Sequence, residues 1–208
     1  MARAQRLVSS IAAIGLTAAA CGAGRPPSAA LIFDVPRTDL PARLTDRLAG
    51  PLTRGEADAI ESVARAELRR AFAPFRVDVV DRDGAFWRVR VVHEIVPQAH
   101  ALAGVGESVA LGPLGGGGFV DFVAIATQAV RYAPVAATRP QIVDAIGRGI
   151  GRVAAHELGH QILGPTSAHN DLDGHAYENG TPERAAQYYG ELRWTTWQAR
   201  LAATLGMR

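Results

Sequence analysis

The sequence predicts one α+β domain: a twisted mixed sheet, a long helix lying along it and a C-terminal helix. Three observations lead there. The runs "FRVDVVD" (75–81) and "FWRVRVVHEIV" (86–96) alternate apolar and polar residues, the two-residue period of half-buried strands. Apolar residues recur at helical spacing after Thr53 and again from Pro140 to Leu163. A chain of 208 residues has room for one domain with a real core and is short for two. Its hydrophobic fraction of 48% and charged fraction of 20% are those of an ordinary soluble globular protein.

The elements follow in chain order. "MARAQRLVSSIAAIGLTAAAC" has Arg3 and Arg6, an apolar run from Leu7 to Ala20, then Cys21. A basic start and a short apolar run before small residues describe a secretory signal peptide over residues 1–20. The run is too short for a spanning helix, which needs about 20 apolar residues. Cys21, the sole cysteine, excludes an intrachain disulfide. Its position after "AAA" resembles a bacterial lipobox, which implies a lipidated Cys21 and membrane attachment, although Ala18 stands where such boxes usually carry leucine. Ordinary cleavage near Ala20 or within "GAGRPPSAA" is the other reading, and both imply an exported protein, extracellular, periplasmic or membrane-anchored. Loss of residues 1–20 leaves 20 arginines against 20 acids, and no basic patch suggests nucleic acid as a partner.

Residues 21–30 read as a flexible linker and 31–208 as the domain. "LIFDV" (31–35) is a strand stopped by Pro36. The next helix places Ile60, Val63, Ala64, Leu68 and Ala71 on one face and ends at Pro74. "RDG" joins the two alternating runs as a turn, which predicts a hairpin. Residues 101–126 are glycine-rich and end in an apolar strand from Phe119 to Ala126. Glycines 115–118 suit a surface loop or a strand under close backbone approach; a phosphate loop lacks its lysine. Pro140 opens and Gly164-Pro165 closes the long helix. Gly147, Gly149 and Gly151 within it predict close packing against the sheet, or a weak first half. Thr181 and Pro182 begin a C-terminal helix whose aromatic residues face the core.

The chemistry is concentrated in "AAHELGHQILGPTSAHND" (154–171). Residues four apart on a helix lie one above the other, so His156 and His160 offer two imidazoles to one point, as two zinc ligands require. Glu157 lies about 100° round the helix from His156 and borders that point without ligating it. It has the place of a general base that takes a proton from a zinc-bound water. A catalytic zinc keeps three protein ligands and one open position. His169 ranks first as the third ligand, with His175 and Asp173 as alternatives; Glu178 or Glu183 is nominated only by a resemblance to zinc peptidases that take a glutamate further downstream. "DLDG" lacks the spaced acids of a calcium loop. Tyr177, Tyr188 and Tyr189 are candidates to hold a developing oxyanion, with packing the more ordinary role for at least two.

The segment "AAHELGHQILG…H" resembles the metzincin clan of zinc metallopeptidases, whose signature is HExxHxxGxxH, with "AFAPFRVDVVD" as a similar helix-to-strand junction in bacterial secreted members. These stretches cover about an eighth of the chain. The resemblance implies a zincin-like fold, a glycine that turns the chain, and a third histidine returning to the metal. The spacing departs from the clan. Gly164 falls four residues after His160 instead of three, and His169 nine after instead of six. The clan's methionine turn, a floor beneath the metal, has no counterpart, since the only methionines are Met1 and Met207. Another apolar residue can serve as that floor.

The motif and the resemblance together imply a hydrolase: a zinc metallopeptidase, an endopeptidase by preference, acting on a protein or peptide, and the metzincin-like layout implies that an extended substrate pairs with the edge of the strand in "GFVDFVAIA". The alternative is an exported or lipid-anchored, non-catalytic binding protein on a zincin scaffold. The irregular spacing favours it; the intact Glu157 between intact histidines argues against it.

Overall fold

The computed structural model describes residues 25–34, 40–95, 106–110, 115–164, 184–195 and 197–208. Among the described residues five strands form one sheet in the order β2-β1-β3-β5-β4. They are β1 (Ser28–Phe33), β2 (Asp78–Val80), β3 (Trp87–Val92), β4 (Gly106–Ala110) and β5 (Gly116–Asp121). Four run parallel, and β4 is antiparallel to β5 at the edge. The helices are α1 (Ala42–Arg47), α2 (Arg54–Phe72), α3 (Phe122–Arg131), α4 (Arg139–Leu163), α5 (Arg184–Tyr189) and α6 (Gln198–Leu205). The architecture is a mixed α/β one, compatible with the α+β class expected. Among the described residues no helix is long and apolar enough to cross a membrane. β1 begins at Ser28, with Ala29 and Ala30 fully buried, so the last part of the segment expected as linker is core strand.

The expected hairpin does not form. β2 and β3 both run parallel to β1, which lies between them. Val80 stands opposite Ala30 and Trp87 opposite Ala29, at neighbouring heights along β1. Residues 81–86 therefore need to span only two strand spacings, about 10 Å, and no crossover helix is required. The alternation in β3 reflects burial on one face: Trp87, Val89 and Val91 point into the core while Arg88 is exposed. That pattern is common in antiparallel sheets and here belongs to a parallel one with an open face.

The apolar run after the glycines also divides differently. β5 ends at Asp121, whose carboxylate accepts from the Ala124 amide at 2.7 Å and the Ile95 amide at 2.9 Å. An N-cap of this kind starts a helix, so residues 122–126, expected as strand, open α3. β5 is hydrogen-bonded on both sides, to β3 and to β4. The strand expected to receive a substrate thus has no free edge, and among the described residues the edge on this side is β4.

Helices α2 and α4 lie together against the sheet, α2 towards β1 and β2, α4 towards β3, β5 and β4. Thr53 and Glu56 form a capping box at the start of α2. Thr138 and Gln141 do the same for α4, with Pro140 in its first turn. Arg139 ties the two beginnings together, pairing with Glu56 at 2.5 Å and donating to the carbonyls of Leu48 and Pro51. The α4 glycines face a helix where the sheet was expected. A Cβ on Gly147 would lie 2.7 Å from Val63 Cβ, and one on Gly151 2.4 Å from the Ala64 carbonyl oxygen. Gly149 instead accommodates the Tyr188 ring.

The C-terminal segment is two helices where one was expected. Arg152, 1% exposed, pairs with the buried Glu67 and donates to the carbonyls of Ala186, Gln187 and Gly190. The Ala186 carbonyl also accepts from the Gly190 amide at 3.1 Å and closes the last turn of α5, and the guanidinium takes up the Gln187 and Gly190 carbonyls at the helix end. The connection then buries Trp194 and Trp197 before α6 begins, as the expected inward aromatic residues do. At the far edge, the Arg208 guanidinium donates to the carbonyls of Phe75 and Val77, just before β2.

Candidate metal centre

Almost every residue of α4 from Ala145 to Gly159 is buried, which places the HExxH segment in the core beside the β4 edge. His156 is 4% exposed and Glu157 6%, while His160 is half-buried one turn later. The two Nε2 atoms stand 3.1 Å apart. Without a cation, one ring must donate its N–H to the other; with one, both lone pairs face it. Two nitrogens bound to a tetrahedral zinc at about 2.05 Å would lie about 3.4 Å apart. The observed spacing is within a few tenths of an ångström of that, so the pair fits zinc with little adjustment. Helical spacing alone brings the rings to one side; their facing each other is a further fact that the sequence did not supply.

Two contacts around the pair bring in distant parts of the chain, Trp197 and the Arg88 backbone. The Trp197 indole stacks on His156, with ring centroids 5.4 Å apart and planes at 15°, and meets His160 edge-on at 4.9 Å. Gly159, the glycine inside HELGH, leaves the space for it: a Cβ there would lie 2.6 Å from the indole. The second contact is made by Gln161, which is fully buried. Its side-chain amide accepts from the Arg88 amide at 3.2 Å and donates to the Arg88 carbonyl at 3.1 Å, fastening the end of α4 to β3. A Cβ on Gly116 would lie 2.7 Å from that side chain, and one on Gly115 2.3 Å from the Phe86 carbonyl oxygen. These two glycines are thus a strand under close approach, one of the two roles expected of them. Nothing near the HExxH motif announces Trp197 or the Arg88 backbone as partners of this helix end.

No family model matches the chain, and no curated protein matches it in sequence.

Gly164 ends α4 with φ of 60°, so the chain turns where the sequence expects. The candidates beyond it, His169, Asp173, His175, Glu178 and Glu183, lie outside the described residues, as do Tyr177, Cys21 and the capping pair Thr181 and Pro182. Among the described residues no three histidine, cysteine or acidic side chains converge on a metal position. The tyrosines considered for an oxyanion are engaged with α3. Tyr188 donates its hydroxyl to Gln128 at 2.8 Å, and Tyr189 to the Ala129 carbonyl at 2.6 Å. Burial pushes the Tyr189 hydroxyl up to about 12. Packing is the role the geometry gives both. Met207 pairs with Phe75 beside β2, and the ring beneath the histidines is Trp197.

Proposed function

We propose that this chain is a zinc-dependent peptidase with a zincin-like fold. The observation that carries the reading is the convergence of the His156 and His160 Nε2 atoms at 3.1 Å on a buried helix, with Glu157 next to the first. A mixed sheet, a long HExxH helix along it and a C-terminal helix are also the layout that the metzincin resemblance implies. His156 and His160 hold the metal through Nε2, and His169 is the third ligand ranked first, ahead of His175 and Asp173.

Zinc, when bound, supplies Lewis acidity, which acidifies water and polarises a carbonyl. Glu157 receives the proton of the attacking water on its carboxylate and returns it to the leaving amine. Its burial at 6% exposure keeps bulk water from competing for that proton. An extended peptide joins the sheet at β4, whose backbone groups fix its register. The protein is exported, with residues 1–20 removed and Cys21 either lipidated or cleaved away; mass spectrometry of the mature N-terminus distinguishes these.

Elemental analysis of the purified mature protein tests the metal. One zinc per chain in the parent and none in His169→Ala is expected. Zinc retained by that variant moves the third ligand to His175, Asp173 or a downstream glutamate. Glu157→Gln should keep zinc and lose turnover of a casein or peptide-library substrate; a variant as active as the parent would refute the mechanism.

A further inference from the structure

We propose that Trp197 is a positioning residue for this metal site, its indole fixing the rotation of both imidazoles so that their Nε2 lone pairs converge. The proposal rests on the zinc reading above. The indole is parallel to the His156 ring within 15° and lies at 82° to the His160 ring, while the two imidazoles are themselves at 84°. A single flat side chain therefore constrains two perpendicular rings at once, one by its face and the other by edge contact. This matters because the second torsion of histidine is broad and weakly set by the chain itself. The lone pair lies in the ring plane, so a turning ring swings its Nε2 away from a shared point.

Trp197 can serve as such a reference because it is itself held. It is 2% exposed. The Trp194 indole lies 6.4 Å away at 22°, and Trp194 donates its Nε1–H to the Ala71 carbonyl at 2.7 Å. Phe72 and Phe75 meet Trp194 edge-on at 5.5 and 6.4 Å. The chain of contacts runs from the end of α2 through two indoles to the histidines. Gly159 is the space that lets it close, since a side chain there would displace the Trp197 ring.

The test compares the mature parent with Trp197→Leu, Trp197→Phe and Ile60→Ala, the last removing a buried α2 side chain at the level of Gly147, about two and a half turns of α4 before His156. Zinc affinity is measured by competition with a chromophoric chelator, and Co²⁺ supplies a visible spectrum and a fluorescence quencher. Trp197→Leu should weaken zinc about 10–100-fold, the usual cost of losing a group that orients metal ligands, and should alter the Co²⁺ bands. Trp197→Phe, which keeps a flat ring, should recover most of the affinity. Ile60→Ala should lower the melting temperature and leave affinity and bands unchanged. Should Trp197→Leu not fold, Trp197→Phe decides through emission: Co²⁺ should quench the parent strongly through the stacked indole and quench that variant less.

A parent that binds zinc while Trp197→Leu binds it equally well overturns the positioning role and leaves the zinc reading intact. An undiminished quench in Trp197→Phe overturns the placement of the indole. A parent that takes up no zinc overturns the metal reading, and the positioning role with it.

Discussion

Gly151→Ala inverts the usual value of alanine in a helix. In an open helix interior the change from glycine stabilises by about 1 kcal/mol. At position 151 the added Cβ would lie 2.4 Å from the Ala64 carbonyl oxygen and 2.7 Å from Glu67 Cβ, and a backbone oxygen cannot rotate aside. Relief requires α2 and α4 to part by roughly 1 Å, and a gap of that size forfeits a quarter to a half of the dispersion well of each contact across it. Overpacking of this kind costs about 1–3 kcal/mol, and the parting of two long buried helices adds to it, so the net loss is about 2 kcal/mol after the propensity gain. In a domain of this size that lowers the melting temperature by about 4–8 °C. Gly55→Ala is the matched control. Gly55 lies in the first turn of α2 with nothing within 4 Å of a Cβ, so the same substitution there should leave the melting temperature unchanged or raise it by a few degrees. Calorimetry or thermal circular dichroism on the mature protein reads both. Gly151→Ala melting at or above the parent would refute the reasoning.

Two further outcomes follow from the same geometry. The hydrogen bond from Arg139 holds the Glu56 carboxyl down from 4.5 to about 2. A lowered folded-state value stabilises fully above pH 4.5, and the contribution fades as pH falls towards 2. The undiscounted figure is about 3 kcal/mol at 1.36 kcal/mol per tenfold change; with the Glu56 side chain 23% exposed, screening leaves about 1–2 kcal/mol. Denaturant titration should therefore find Glu56→Gln less stable by that amount at pH 7, with the gap closing between pH 4.5 and 2; a constant gap would count against the pair. Gln161→Leu keeps side-chain bulk and removes both bonds to Arg88, leaving a backbone amide and carbonyl of β3 to find other partners. At about 1–3 kcal/mol for each group left unsatisfied, denaturant unfolding should show a loss of about 2–4 kcal/mol, and a loss below 0.5 kcal/mol, about the noise of such measurements, would refute the clamp.

What was legible in the sequence was what is local. α2 and α4 announce themselves by period, capping residues and terminators, all contained within a few turns. His156, Glu157 and His160 are legible for the same reason, since one helical turn sets their relation. Pairing partners are not local. The alternation of Trp87, Val89 and Val91 records which face is buried and is silent on whether the neighbour is β2 or β1. The run from Phe119 to Ala126 is apolar throughout, so its change from strand to helix is marked only by Asp121, whose capping role appears once Ala124 is seen above it. α1 buries a single residue of its own, Leu44, and β4 is five residues with one large apolar side chain, Val109, so neither carries a period. The supports of the histidine pair come from β3 and from the segment before α6, and only the folded chain brings Trp197 and Arg88 to α4.

The two edges of the sheet are unlike, and this bears on how copies of the chain would meet. β2 has three residues, and the Val77 carbonyl just before it is taken by the guanidinium of Arg208. A guest strand finds no run of open backbone groups there. Among the described strands, edge-to-edge association is therefore left to β4, the same strand proposed to receive a peptide. Self-association and peptide binding would exclude one another, and raising the protein's own concentration would act on its turnover as a competitive inhibitor does.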